Sequence, residues 1–550
     1  MNGERPRWLA GQRDPAPLDL VQTIEAALRD NSRSLMILDR HTNVWQAHSW
    51  QSVYELGCRV AADLRCGTEG AERTPIGIIG EPTVELAGII IGSWVSGRPI
   101  TVLPGSVRGA SADGWAQATL VRLSDIGCQI VYSYGAQLEQ LQSCDGTLTL
   151  RDMRSVAALR PGKVAPVDVS EECAAILQGT AGSTGVPKTA VQSRRAVLRH
   201  FRAVADRLGL QPAHDVLCSW LPLYHDLGLL MLVLAMSSGT TLWLTSPAAF
   251  SRAPLNWIDW LSQSKATMLA APNFAYDLVG RYAKRISEAD LSAIRVALNG
   301  GEPVDCLAMK RFGAEMERFG FDRRALTPAY GLAEATCGLT MPEPGLGLRY
   351  DRLHPAGESV PIRHALLGRP FDGVDIRIVP GRVDTPAALD RVTGEVEFRG
   401  PTTMSGYLND DRVLGPQDWC PTGDIGYLVD GELVICGRLK EMMTFAGRNL
   451  FPQQIEEVAA RIPGIDIGAV VATTVRPGAE NTGQRAALVI VAEYRGGAEH
   501  GPVTDQICEL VASECGVVPS KVELVARGKL PRTTSGKLRR LAVGSWFGAN

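Results

Sequence analysis

The sequence predicts an α/β protein. It has helix-covered, mainly parallel sheets, a smaller and more antiparallel β subdomain, and a separate cap of strands and helices at the C-terminus. Three observations carry this reading. Apolar runs of strand length, ended by turn residues, alternate with helical stretches through roughly the first 330 residues. After about residue 365 the runs become short and alternating, separated by Gly, Pro and Asp. A new strand and helix pattern then begins near Lys440. At 550 residues the chain is also too long for one compact core.

The elements follow in order. IGIIG (76–80) and LAGIIIGSWV (86–95) flank a Glu-Pro turn, giving a buried strand and an apolar helix. The same pattern recurs at CQIVYS (128–133), TLWLTS (241–246), ATMLAAP (266–272) and IRVALNGGEP (294–303). DIRIV (375–379), GEVEFRG (394–400) and GELVICGR (431–438) are the alternating strands of the small β region. The cap takes a helix over 452–462, strands at 467–475 and 485–494, and a second helix over 504–515. Residues 341–367, rich in Gly, Pro, Arg and His, are expected to form a surface loop.

Composition narrows the classes of function. A formal net charge of −3 with 21% charged residues gives no electrostatic basis for a nucleic-acid partner. The twelve cysteines are scattered without a CxxC pair, as expected of thiols in a reducing compartment. The first fifteen residues are polar and charged where a signal peptide needs an apolar stretch, so a cytoplasmic location is expected. The most apolar window, 229–244, is broken by Ser-Ser-Gly and falls short of the roughly 20 residues that span a bilayer. It is read as core, and no transmembrane segment is expected.

Chemistry concentrates in a few strings. The segment Gln178-Gly-Thr-Ala-Gly-Ser-Thr-Gly-Val-Pro-Lys188 follows the strand-like AAIL. Its glycines allow the backbone close to phosphate oxygens, Thr180, Ser183, Thr184 and Gly185 line the turn, and Lys188 supplies charge. It is not a Walker A loop, which ends Gly-Lys-Ser/Thr. A plain Gly-Ser-Thr surface loop is the competing reading.

Taken together, STGVPK, Tyr330-Gly-Leu-Ala-Glu334, Thr422-Gly-Asp424, Gly437-Arg438 and the terminal PRTTSGK ending at Lys537 resemble the adenylate-forming superfamily. The motifs stand in that family's order over residues 178–537. APNFAYDLVGRYA (271–283), GRNLFPQQIEE (447–457) and WLPLYHDLGLL (220–230) look most like fatty acyl-AMP ligases.

The resemblance implies a function. A hydrophobic carboxylic acid is activated with MgATP to acyl-AMP, and the acyl group passes to the thiol of CoA or of an acyl carrier protein's phosphopantetheine. It implies an acyl- and ATP-binding domain over 1–438, built of two α/β sheet subdomains plus a small β subdomain, and a mobile α+β cap over 439–550 that turns about Lys440. Lys537 would stabilise charge during adenylation, His225 would line the acyl pocket, and Glu334 would hold Mg²⁺. Asp424 would bind the ribose diol and Arg438 the ribose or phosphate. Tyr330 with Gly331 would lie against adenine, and Gly300, Gly301 and Glu302 would border the base.

Some positions depart from the family pattern. Ala181 and Thr189 stand where Ser and Gly are common, and Ala333 precedes the metal-binding glutamate, as it does in acyl-AMP ligases. Residues 341–367 are the candidate for an insertion that restrains the cap. Arg195, Arg199 and Arg202 recur at helical spacing, either as a solvated face or as contacts for CoA or carrier phosphates. Two alternatives stand beside the two-step ligase: an enzyme that only transfers a supplied acyl-AMP to a thiol, and a non-catalytic nucleotide-binding relative.

Overall fold

The computed structural model describes residues 19–547 apart from 40–41, 67–72, 107–111, 145, 161, 163, 181–187, 354–361, 382–391, 446–447, 476–486, 497–499 and 533–537. Two seven-stranded sheets form the body. In the first, Leu326–Pro328, Val296–Asn299, Met268–Ala271, Val216–Ser219, Thr241–Leu244 and Ser34–Asp39 run parallel in that order, and Val44–Ser49 closes the edge antiparallel. In the second, Thr149–Asp152, Ile130–Ser133, Ile76–Ile79, Ile100–Leu103 and Ala174–Gly179 run parallel. Thr189–Ser193 and Gly406–Tyr407 then add antiparallel strands at that edge. Parallel neighbours need crossover connections, which is why a helix follows most of these runs.

The apolar helix Val84–Val95 is buried from Leu86 onward and packs on Trp50–Arg65. Small residues set the spacing: a Cβ on Gly57 would fall 2.5 Å from Ile91, and one on Gly92 would fall 2.6 Å from Val60. Residues 229–244 are core, as expected. They form most of the all-round apolar helix Asp226–Ser238, end it at Gly239 in the left-handed conformation, and return as strand Thr241–Leu244. No described helix is long and apolar enough to cross a membrane.

The antiparallel sheet comprises Asp375–Val379, Gly394–Arg399, Cys420–Val429 and Glu432–Arg438. Residues 341–367 differ from the expected loop, because Tyr350–Leu353 and Ile362–Ala365 pair antiparallel. The hairpin is anchored on the sheet: Tyr427 donates to Asp351 Oδ2 at 2.9 Å, and Arg349 pairs with Glu432 at 2.7 Å. Those partners lie 76 and 83 residues further along the chain, so local composition carried no sign of them.

The C-terminal sheet joins Ile465–Val475, Ala487–Tyr494 and Lys521–Val525. Ile455, Val470, Ile490, Ile507 and Val511 build its own core with the helices Pro452–Ala459 and Gly501–Cys515. Polar contacts join it to the body: Arg281 bridges Asp277 (2.9 Å) and Asp466 (3.0 Å), and Arg495 donates to the Tyr282 hydroxyl at 2.7 Å.

Candidate active site

Open parallel sheets bind ligands beyond the carboxyl ends of their strands. Here those ends carry the quoted motifs. Ala174–Gly179 leads into the Gly-rich loop, Val216–Ser219 to Tyr224 and His225, Val296–Asn299 to Gly300 and Gly301, and Leu326–Pro328 to Tyr330 and Gly331. Gln178 Nε2 donates to the Tyr224 carbonyl at 2.9 Å, joining the edges of the two sheets. Asn299 Nδ2 donates to Asn273 Oδ1 at 2.9 Å and fixes the strand end before Gly300.

Asp424 is the hub of the first cluster and is 6% exposed. It pairs with Arg438 across neighbouring strands, and Arg438 Nε stands 3.3 Å from its Oδ1. The Tyr330 hydroxyl donates to Oδ2 at 2.5 Å. Burial, then the Asp424 charge, pushes the Tyr330 phenol well above its ordinary value, so it remains a donor. A carboxylate has about four acceptor sites, and that of Asp424 serves Tyr330 and Arg438 among its partners.

The second cluster gathers around Glu334, on the single turn Ala333–Ala335. The Tyr407 hydroxyl donates to Glu334 Oε1 at 2.6 Å, and the Lys188 ammonium lies 4.4 Å from the centre of the Tyr407 ring. Gln192 Nε2 holds the turn by donating to the Ala333 and Thr336 carbonyls at 2.9 and 3.0 Å. At the mouth of the Gly-rich loop, Thr180 N donates to the Lys188 carbonyl at 2.8 Å. Among the described residues no group of three potential metal ligands occurs. A lone carboxylate at Glu334 still suits Mg²⁺, which takes one or two carboxylates together with phosphate oxygens and water.

Gly331 is required by close approach. A Cβ there would sit 1.8 Å from the Cys337 carbonyl oxygen and 2.7 Å from Gly338 Cα, both backbone atoms. Gly331→Ala is therefore expected to push Tyr330 out of register with Asp424, lowering the melting temperature by several degrees; calorimetry checks this.

Other sequence-predicted residues fall as follows. His225 Nδ1 lies 3.2 Å from Asp226 Oδ1, at the head of the helix Asp226–Ser238. Gly301 takes a left-handed φ of +83°, and a Cβ on Gly300 would lie 3.4 Å from the Ala329 carbonyl oxygen, an ordinary contact. Glu302 accepts from Phe274 N at 2.6 Å, so its carboxylate serves the first turn of the helix Asn273–Tyr282. Arg195 pairs with Glu172 at 3.0 Å, Arg202 is half-buried and Arg199 is exposed, a helix face and not a gathered cluster. Ala181, Ser183, Thr184, Gly185 and Lys537 lie outside the described residues. Sequence reasoning missed Tyr407 and Gln192. Their contacts with Glu334 and its turn span 73 and more residues, and no local pattern signals them.

This geometry has close relatives. The family model for AMP-binding enzymes matches residues 25–408. The chain belongs to the AMP-binding enzyme family. A ligase of Mycobacterium tuberculosis is 31% identical over 517 residues, covering 90% of this chain and 93% of that protein. A medium-chain-fatty-acid–[acyl-carrier-protein] ligase of Moorena producens is 32% identical over 410 residues, 68% of each chain. The solved structure of a fatty acyl-adenylate ligase, from work on the Escherichia coli and Legionella pneumophila enzymes, superposes with a TM-score of 0.85 at 24% identity over 98% of each chain. This AMP-binding enzyme is therefore an ATP-using, adenylate-forming ligase with the large N-terminal and small C-terminal arrangement of its fold. The expectations for fold, enzyme class and acyl activation are borne out.

Proposed function

We propose that the chain activates a medium-to-long aliphatic acid as acyl-AMP and delivers it to the phosphopantetheine thiol of an acyl carrier protein. The observation that carries this reading is the pair of clusters, Tyr330–Asp424–Arg438 and Lys188–Tyr407–Glu334, whose strands and turns follow the carboxyl ends of the sheets. One cluster suits a ribose diol, the other a phosphate chain. The carrier is favoured over CoA by the Moorena producens relative, whose name specifies an acyl-carrier-protein acceptor.

In the first step a carboxylate oxygen attacks the α-phosphorus and the bond to pyrophosphate breaks. Asp424 and Arg438 orient the ribose, Tyr330 and Gly331 flank the base, and Gly300 and Gly301 leave room for it. Lys188 and the loop residues Thr180, Ser183, Thr184 and Gly185 meet the β- and γ-phosphates. Glu334 is the residue that would hold Mg²⁺, which neutralises phosphate charge when bound. Lys537 balances the charge gathering between carboxylate and α-phosphate, and His225 borders the acyl group. In the second step the thiol sulfur attacks the acyl carbon, its proton is lost to solvent, and AMP leaves. We place the boundary between body and cap after Arg438. All twelve cysteines are free, which suits a reducing compartment such as the cytoplasm.

The test incubates the protein with MgATP and C8 to C18 acids, adding CoA or a phosphopantetheinyl carrier separately, and reads acyl-AMP and thioester by mass spectrometry. Acyl-AMP with every productive acid, and thioester with the carrier alone, is the expected result. Thioester with CoA alone would replace the carrier assignment. Thioester from supplied acyl-AMP, with none formed from ATP and acid, would overturn the two-step reading.

A further inference from the structure

Thr189, which stands where glycine is common after the loop lysine, has a partner. Arg122, on the helix Ala112–Ile126, donates from Nη2 to Thr189 Oγ1 at 2.5 Å. Arg122 and Lys188 line a cleft of about 250 Å³ together with Thr189, Tyr407, Asn409, Asp125 and Asp410. Among the described residues, no carboxylate forms an ion pair with Arg122 or Lys188. Half-burial, only partly offset by the Asp125 charge, pushes the guanidinium below its ordinary value, so it would gain from an anion. Both ends of the cleft are anchored. Leu408 N donates to the Thr189 carbonyl at 2.8 Å, and Tyr407 reaches Glu334.

Resting on the functional reading above, we propose that Arg122 is a phosphate-directed residue of this chain: Thr189 holds its guanidinium beside Lys188, giving the cleft a second cation for the pyrophosphate end of the nucleotide. The ligand class is a pyrophosphate group accompanied by its magnesium ion. A magnesium complex of this kind tolerates Asp125 and Asp410 on the same wall, where a bare polyanion would be repelled. The threonine hydroxyl accepts one of the five guanidinium N–H groups and leaves the others for phosphate oxygens. A glycine at 189 would leave Arg122 without that support.

The test is calorimetric titration of magnesium pyrophosphate into the full-length protein and its variants, without acid or acceptor, with thermal melting as a check on folding. Wild type should bind. Arg122→Gln should bind about tenfold more weakly, Thr189→Gly should fall between the two, and Arg122→Lys should recover part of the loss. A structural role alone would lower the melting temperature of Arg122→Gln while leaving its pyrophosphate affinity within twofold of wild type, and that result overturns the proposal. Absence of binding by wild type also overturns it. Failure of the functional reading shows elsewhere, as wild type that makes no acyl-AMP from any acid.

Discussion

Replacing Lys537 by alanine is expected to lower the rate of acyl-AMP formation by about 10³-fold, with the melting temperature unchanged. The reason is charge. As the carboxylate meets the α-phosphate, negative charge collects on oxygens that water no longer surrounds, and a single ammonium placed there acts on the transition state more than on bound substrates. The described residues 530–532 and 538–539 are tied into the cap. Arg532 and Leu538 pair as an antiparallel bridge, Arg539 N donates to the Pro531 carbonyl at 2.9 Å, and Leu530 N donates to Glu493 at 2.9 Å. None of these contacts is made by Lys537, so the cap of the alanine variant is expected to stay folded.

The same variant separates the half-reactions. Thiol attack on supplied acyl-AMP has no use for a cation between carboxylate and α-phosphate, so transfer should stay within about threefold of wild type. The measurement is single-turnover acyl-AMP formation set beside thioester formation from synthetic acyl-AMP. A variant with full adenylation would remove Lys537 from the mechanism.

What could be read from the chain, and what could not, divides by the distance over which the determining contact acts. IGIIG, ATMLAAP and IRVALNGGEP announced strands because apolar runs bounded by turn residues are local properties, and the structure places Ile76–Ile79, Met268–Ala271 and Val296–Asn299 there. Asp424 and Arg438 were legible as a pair of motifs, and their cross-strand register was not. Hydrogen bonds around the site join elements far apart in the chain: Tyr407 on Glu334, Gln178 on Tyr224, Arg122 on Thr189. No window of a dozen residues contains both partners of any of these. The hairpin within 341–367 escaped notice for the same reason, its anchors being Tyr427 and Glu432.

Asp424→Ala should cost about 10³-fold in kcat/KM for ATP and leave the apparent affinity for the acid nearly unchanged. Two hydrogen bonds from a ribose diol to a carboxylate are charge-assisted and carry roughly 1.5 to 3 kcal/mol each. The substitution also frees Tyr330 and Arg438, which Asp424 holds at 2.5 and 3.3 Å. Removing one member of a fully buried ion pair typically costs 3–5 kcal/mol, but the Arg438 side chain is 46% exposed and can rehydrate. Stability should thus fall only modestly while nucleotide use collapses. Tyr330→Phe, which deletes one donor and keeps the ring, should lose about tenfold at most, and Asp424→Asn should lie between the two because an amide offers a single acceptor oxygen. Steady-state pyrophosphate release across ATP concentrations measures all three. Kinetics for Asp424→Ala within fivefold of wild type would mean that the ribose is held elsewhere.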